Sequence, residues 1–140
     1  MYTELMKEPC NHTSVGMIVE RDGKLLLIER KIFPIKYAPP AGHVDEGEDY
    51  AHASARELKE EVGLDATSLE LIAEGRKENK CSRPGGSWHY WKIYKIEAAG
   101  DVHRSEGETK SAGWYARGQR QTAGCGEWQR QDFRDYGHWR

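Results

Sequence analysis

The chain has 140 residues, a formal charge of -2 at pH 7 and a pI near 6.3. This length buries one small core, and the charge leaves no basic surface for nonspecific binding to nucleic acid or to a membrane. No apolar stretch approaches the roughly 18 residues of a membrane-spanning helix, and the segment MYTELMKEPC lacks the apolar core of a secretion signal. We expect a single cytoplasmic domain, residues 1–140, that acts on a small molecule.

The first predicted elements form a β-hairpin. Strands are predicted at His12 to Glu20 and at Lys24 to Glu29, and the intervening Asp22–Gly23 pair is a strong hairpin signal. The segment from Lys31 to Ala41 contains three prolines and is predicted to be a loop.

One helix is predicted from Asp49 to Val62. Glu57, Glu60 and Glu61 are three and four residues apart, so we expect them on one helix face. The expected apolar stripe on the opposite face consists of Ala51, Ala55, Leu58 and Val62. Clustered carboxylates repel one another unless a cation neutralises them, and a hard divalent cation with oxygen ligands meets that need. The alternative is a solvated acidic helix face with local ion pairs.

After the helix, strands are predicted at Ser68 to Arg76, Ser87 to Ala98 and Gly113 to Tyr115. Strands before and after a helix, joined by hairpins, indicate an α/β fold with a mixed sheet and helices on its faces. Residues 116–140 contain no Leu, Ile, Val or Met, so this segment would pack through its aromatic residues. We expect it to be an atypical, loosely packed tail.

The segment from Gly42 to Leu64 resembles the signature of the Nudix hydrolases. Every position that the family pattern specifies is filled, by Gly42, Glu48, Arg56, Glu57, Leu58, Glu60, Glu61, Gly63 and Leu64. The resemblance implies the Nudix fold, an α/β/α sandwich around a mixed β-sheet. It also implies hydrolysis of a nucleoside diphosphate linked to another group, with Mg²⁺ or Mn²⁺ as cofactor. It does not name that other group.

The resemblance also implies roles for individual residues. Glu57, Glu60 and Glu61 would hold the metal ions, and Glu48 would bring a further carboxylate to these ions from the loop before the helix. Arg56 would hold a neighbouring carboxylate in orientation.

Gly42 is a candidate substrate-binding residue, at which the backbone would turn sharply before the helix. The catalytic base that takes the proton of the attacking water is left open between two locations. It belongs either to the helix cluster, with Glu57 and Glu60 as candidates, or to a later loop. In that loop Glu108, ahead of Gly113–Trp114, resembles the distal carboxylate of the family, and Glu106 is its alternative.

A run of aromatic residues offers a surface for a nucleotide base. Simple alternation places Trp88 and Tyr90 on the same face of the predicted strand, with His89 and Trp91 on the other. We therefore consider Trp88 and Tyr90 candidate substrate-binding residues, and burial in the core is the alternative.

Three cysteines, Cys10, Cys81 and Cys125, do not suggest a disulfide framework. Cys10 with His12, and Cys81 with His89, would converge on zinc only if the first strand lies beside the later hairpin. Neither pair has a spacing specific to zinc sites, so reduced thiols are the expectation.

The sequence thus favours a metal-dependent pyrophosphohydrolase whose partner is a small nucleoside diphosphate derivative. One alternative is a nucleotide sensor that binds without turnover, which the intact acidic cluster disfavours. Another is an RNA 5′-end pyrophosphohydrolase, which the near-neutral charge disfavours. A homodimer is compatible with the sequence.

Overall fold

A computed structural model describes residues 9–30, 37–81, 83–107 and 109–116. In chain order the elements are β1 (Thr13–Arg21), β2 (Lys24–Arg30), β3 (Tyr37–Ala38), β4 (Ala41–His43), α1 (Tyr50–Val62), β5 (Asp65–Lys77), β6 (His89–Ala99) and β7 (Thr109–Tyr115). The strands form one mixed sheet, and α1 packs against one of its faces.

Strand β1 is the centre of the sheet. It pairs parallel with β6 and antiparallel with both β2 and β4, and the strand order is β3-β2-β1-β6-β5, with β7 paired to β2. Strand β4 lies opposite Ser14 to Gly16, whereas β2 meets β1 only at Glu20 and Arg21. Pairing with the start of β1 therefore holds β4 next to α1, the helix that follows β4 in the chain.

The core lies on both faces of β1. Val15, Met17 and Val19 are fully buried and pack toward α1. Their partners on the helix and on β6 are Ala53, Leu58, Val62, Tyr94 and Ile96. Burying one side chain of this size stabilises the fold by about 1.5–3 kcal/mol, so these contacts fix the helix on the sheet. The opposite face buries Ile18, Leu25, Leu27, Ala73, Trp91 and Ile93.

Helix α1 begins one residue after its predicted start and ends at the predicted residue, Val62. Asp49 is its N-cap, and Oδ1 of Asp49 accepts a hydrogen bond from the backbone N–H of His52 at 2.7 Å. Gly63 ends the helix in the left-handed conformation, with φ at 76°, and its N–H donates to the Lys59 carbonyl at 3.0 Å.

The predicted apolar stripe is wrong at two positions. Ala51 is exposed and Ala55 is only half-buried. The helix instead buries Ala53, Ser54, Leu58, Glu61 and Val62. The buried face is therefore rotated relative to the prediction and includes the small residues at positions 53 and 54.

Replacing Asp49 by alanine is expected to lower the free energy of unfolding by about 1 kcal/mol, because the first turn loses its N-cap acceptor. Urea unfolding at neutral pH measures this loss. Asp101→Ala, at an exposed position outside the helix, is the matched control and should unfold like the wild type. Equal losses in both variants would contradict the capping role.

Two short strands, β3 and β4, lie within and directly after the predicted proline loop, and they were not predicted from the sequence. The other strands lie where they were predicted, with ends that differ by a few residues. The described residues contain one helix, and none of them forms a helix long and apolar enough to cross a bilayer. The predicted tail lies, after Ala116, outside the described residues.

Candidate active site

Arg56 lies at the centre of a group of carboxylates on α1 and the loop before it. Its Nε and Nη2 donate to Oε2 and Oε1 of Glu48 at 2.8 and 2.9 Å. Its Nη1 donates to Oε1 of Glu57 at 3.0 Å and to Oε2 of Glu60 at 3.1 Å. Two parallel donors to one carboxylate form a bidentate pair, which fixes direction as well as distance. The guanidinium therefore ties the loop carboxylate to the helix.

Glu48 is held by more than Arg56. The backbone N–H of Asp45 donates to its Oε1 at 3.0 Å, and the His52 imidazole lies 3.4 Å from its Oε2. The hydrogen bonds from Arg56 are the main reason that the pKa of Glu48 is lowered to about 2, and the same contact raises the pKa of Arg56. Both oxygens of Glu48 are thus engaged, which suits a residue that orients Arg56.

A pH dependence follows from this pair. Because the pKa of Glu48 is depressed in the fold, its stabilising effect is present above the ordinary pKa of 4.5 and is lost as the pH falls toward about 2. Glu48→Gln should therefore be less stable than the wild type at pH 7, and the two should converge at the acidic end. Thermal unfolding across this pH range measures the effect.

The matched control for that series is Glu97→Gln, at an exposed position of β6. Its unfolding temperature should follow that of the wild type at every pH. A constant offset between Glu48→Gln and the wild type, without convergence, would show that the Glu48 charge does not act as described.

Gly42, in β4, lies directly against the carboxyl group of Glu57. A Cβ added at Gly42 would lie 2.5 Å from Oε2 of Glu57 and closer still to its carboxyl carbon. The neighbouring carbonyl of His43 accepts a hydrogen bond from Nη2 of Arg56 at 3.1 Å. The expected sharp turn at Gly42 was wrong, because the residue is part of a strand and its φ is not positive. The glycine instead leaves room for Glu57.

The three helix glutamates lie at different depths. Glu61 is 6% exposed, and the side chains of Glu57 and Glu60 are 15% and 58% exposed. The expectation that they project together is therefore only partly correct. Glu57 and Glu60 both accept from Nη1 of Arg56, whereas Glu61, near the end of the helix, is buried. Carboxylate oxygens are the donors that Mg²⁺ and Mn²⁺ prefer, so the donor chemistry fits these ions.

The loop between β6 and β7 borders the C-terminal end of α1. The N–H groups of His103 and Ser105 donate to the carbonyls of Val62 and Glu61, both at 2.7 Å. These bonds satisfy carbonyls that the helix leaves open at its end. Glu106 is exposed in this loop. Glu108 lies outside the described residues, so its predicted role stays a prediction.

The two aromatic candidates have different surroundings. Trp88 stacks on the His12 ring, with centroids 3.9 Å apart, and the guanidinium of Arg76 lies 4.2 Å from the Trp88 ring. Tyr90 is 36% exposed, and its hydroxyl donates to Oε1 of Glu74 at 2.7 Å. Trp88 is therefore engaged by the chain's own side chains, whereas Tyr90 offers an exposed ring.

Comparison with known sequences supports the signature. The family model of the NUDIX domain matches residues 11–132. ADP-ribose pyrophosphatase from Methanocaldococcus jannaschii is 49% identical over 53 residues, which are 36% of this chain and 31% of that protein. CTP pyrophosphohydrolase from Escherichia coli K12 is 37% identical over 67 residues, which are 46% of this chain and 50% of that protein. The chain thus matches half or less of the length of these two relatives.

Solved structures share the fold. A NUDIX hydrolase from Nitrosomonas europaea superimposes with a TM-score of 0.72 at 22% identity, covering 94% of this chain and 90% of that one. The E. coli dihydroneopterin triphosphate pyrophosphohydrolase gives a TM-score of 0.73 at 17% identity, covering 94% and 99%. At such identities the likeness concerns the fold alone, and the predicted fold class is confirmed. With a family model that spans residues 11–132, the chain belongs to the Nudix family.

Proposed function

We propose that this chain is a metal-dependent hydrolase that cleaves a phosphoanhydride bond in a nucleoside diphosphate linked to another group. The observation that carries the proposal is that Arg56 donates hydrogen bonds to the carboxylates of Glu48, Glu57 and Glu60. The carboxylate of Glu57 lies against Gly42, where a side chain would not fit. The relatives named above are one pyrophosphatase and two pyrophosphohydrolases, and the compounds in their names carry different organic groups. They support the bond type and leave the substrate unspecified.

In this proposal Glu57, Glu60 and Glu61 hold Mg²⁺ or Mn²⁺. A bound ion of this kind neutralises phosphate oxygens and lowers the pKa of a water molecule. A carboxylate has two oxygens and about four lone-pair sites, so Glu57 and Glu60 can bind an ion while each still accepts from Nη1 of Arg56. Arg56 itself is anchored, because its Nε and Nη2 are held by Glu48.

Three tasks remain, namely proton transfer, room for the diphosphate and a platform for the nucleotide base. Glu57 or Glu60 takes the proton of the attacking water, with Glu108 of the later loop as the alternative base. Gly42 keeps the site open for Glu57 and for the diphosphate. Tyr90 is our preferred platform for the nucleotide base over Trp88, because its ring is exposed and that of Trp88 is engaged.

A substrate panel tests the proposal. The purified protein is incubated with Mg²⁺ or Mn²⁺ and with nucleoside triphosphates, ADP-ribose, sugar nucleotides, dinucleotides and a 5′-triphosphate RNA, and products are separated by chromatography. We expect phosphoanhydride cleavage of at least one small nucleotide, abolished by EDTA. Tight binding without products would support the sensor instead, and cleavage of the RNA alone would support the RNA-end enzyme.

Two further expectations belong to this proposal. The enzyme acts in the cytoplasm, and a homodimer would form at β5, which is the edge of the sheet path and exposes Leu69 and Leu71 at 38% each. Sedimentation velocity over a range of protein concentrations tests the dimer, and a monomer at every concentration would contradict it.

A further inference from the structure

Two cysteines and two histidines converge at the end of the sheet that carries β4. Cys10 precedes β1, His43 ends β4, Cys81 lies between β5 and β6, and His89 begins β6. One ligand atom from each of the four lies within 4.8 Å of the others. Cys10 is 8% exposed and His89 is 1% exposed, so the group lies at the edge of the core. Two sulfurs and two ring nitrogens at such distances match the ligand set of a tetrahedral zinc site.

Hydrogen bonds fix the orientation and the tautomer of His89. Oδ1 of Asn79 accepts from Nε1 of Trp91 at 3.1 Å and lies 3.1 Å from Nδ1 of His89. Because that oxygen is an acceptor, Nδ1 of His89 carries the proton, and the lone pair of Nε2 faces Sγ of Cys10 at 3.3 Å. A second partner that fixes the tautomer in this way is typical of metal-binding histidines.

His43 completes the group. Within the described residues its buried Nε2 makes no hydrogen bond, which is costly for a ring nitrogen unless another group occupies it. An ion bound at the centre of the four residues would occupy that nitrogen.

The backbone around both cysteines is arranged for thiolates. The N–H of His12 points to Sγ of Cys10 at 3.3 Å, and the N–H of Arg83 points to Sγ of Cys81 at 3.4 Å, each two residues further along the chain. The two segments are joined, since the N–H of Cys10 donates to the Pro84 carbonyl at 2.9 Å. A Cβ added at Gly86 would overlap Sγ of Cys81, so the loop closes tightly on that sulfur.

We propose that Cys10, His43, Cys81 and His89 form a structural Zn²⁺ site. On binding, two Zn–S and two Zn–N bonds form, and each thiol releases one proton to solvent. No electron is transferred. The charge of the dication is cancelled by the two thiolates, so the filled site is neutral and suits its burial.

The site is separate from the proposed catalytic one, although the two share a strand. His43 follows Gly42, and the His43 carbonyl accepts from Arg56. Zinc would therefore clamp β4 to the start of β1 and to the β5–β6 loop, and so fix the wall that faces Glu57. From the sequence we considered His12 as a ligand, and not His43. In the structure the His12 ring stacks on Trp88, and its Nδ1 lies 2.9 Å from the Trp88 carbonyl oxygen.

The first test measures zinc in tag-free protein produced in zinc-supplemented medium, by elemental mass spectrometry after gel filtration. We expect about one Zn²⁺ per chain, as in closed sites with four protein ligands. Removing it with a strong chelator should lower the unfolding temperature, and added zinc should restore it. Wild-type protein without zinc, or with a disulfide between Cys10 and Cys81, would overturn the proposal.

Matched variants identify the ligands. Cys81→Ser and His43→Asn should lose the zinc, whereas Cys125→Ser and His12→Asn should keep it. Asparagine is chosen at position 12 because His12 has a φ of 62°, which asparagine tolerates. Zinc retained by Cys81→Ser, or lost from His12→Asn but kept by His43→Asn, would contradict the assigned ligands.

Cobalt gives a readout that does not depend on how well the variants fold. The zinc-free wild type loaded with Co²⁺ should show the thiolate-to-cobalt charge-transfer band and the intense visible bands of tetrahedral coordination. The weak spectrum of octahedral oxygen ligation would show instead that the ion occupies carboxylates. Because neither zinc content nor this spectrum requires substrate, the outcome is independent of the proposed hydrolysis.

Discussion

Replacing Glu57 by glutamine is expected to lower kcat/KM for the preferred substrate by about 10²–10⁴-fold, the usual effect of losing a catalytic acid–base or charge-stabilising group. Glutamine keeps the length of the side chain and an oxygen that can accept from Nη1 of Arg56. It loses the negative charge that attracts a divalent ion. Initial rates at several Mg²⁺ concentrations measure the effect and should show a weaker response to the metal.

Glu97→Gln is the control for this loss, since it removes the same charge from an exposed position of β6. It should keep wild-type rates. Unfolding temperature separates chemistry from folding, because Glu57→Gln should unfold near the wild-type temperature. Near-normal turnover by the Glu57 variant would remove the central residue from the proposed site.

Gly42→Ala is expected to lower kcat/KM by about 10²-fold, because a displacement of about 1 Å at a catalytic group can cost that much. The added Cβ would lie 2.5 Å from Oε2 of Glu57, so the carboxylate must move. The backbone at Gly42 is an ordinary strand without positive φ, so alanine introduces no backbone strain. The loss should therefore appear in turnover more than in stability.

Gly113→Ala is the matched control for Gly42→Ala, since the nearest described atom to a Cβ added there is Cε2 of Tyr115 at 3.8 Å, an ordinary contact, and the φ of Gly113 is not positive. It should keep wild-type rates. If Gly42→Ala also turns over normally, Glu57 does not need the position that the structure gives it.

Local signals in the sequence were sufficient for most of the fold. The Asp22–Gly23 turn and the helix that ends at Val62 are decided by neighbouring residues, and the structure shows both where they were predicted. Strand β4 was missed because its formation depends on pairing with β1, far along the chain. The buried face of α1 was misassigned because small residues and Glu61, not only large apolar ones, lie against the sheet.

The candidate site was only partly predictable for the same reason. Spacing along one helix predicted Glu57, Glu60 and Glu61 as neighbours, and the family resemblance implied that Arg56 holds a neighbouring carboxylate. In the structure Arg56 contacts Glu57 and Glu60. The space at Gly42 comes from the packing of β4 on α1, which no local pattern encodes. The thiol and imidazole group joins residues up to 79 positions apart, so the sequence offered His12 where the fold supplies His43.

The most direct measurement is anomalous diffraction from crystals soaked with Mn²⁺ and a non-hydrolysable nucleoside diphosphate analogue. The account predicts manganese bonded to carboxylate oxygens of Glu57, Glu60 and Glu61 and to the diphosphate, with Arg56 still paired to Glu48. Manganese found only at other residues, or a diphosphate bound away from Gly42 and these glutamates, would contradict it.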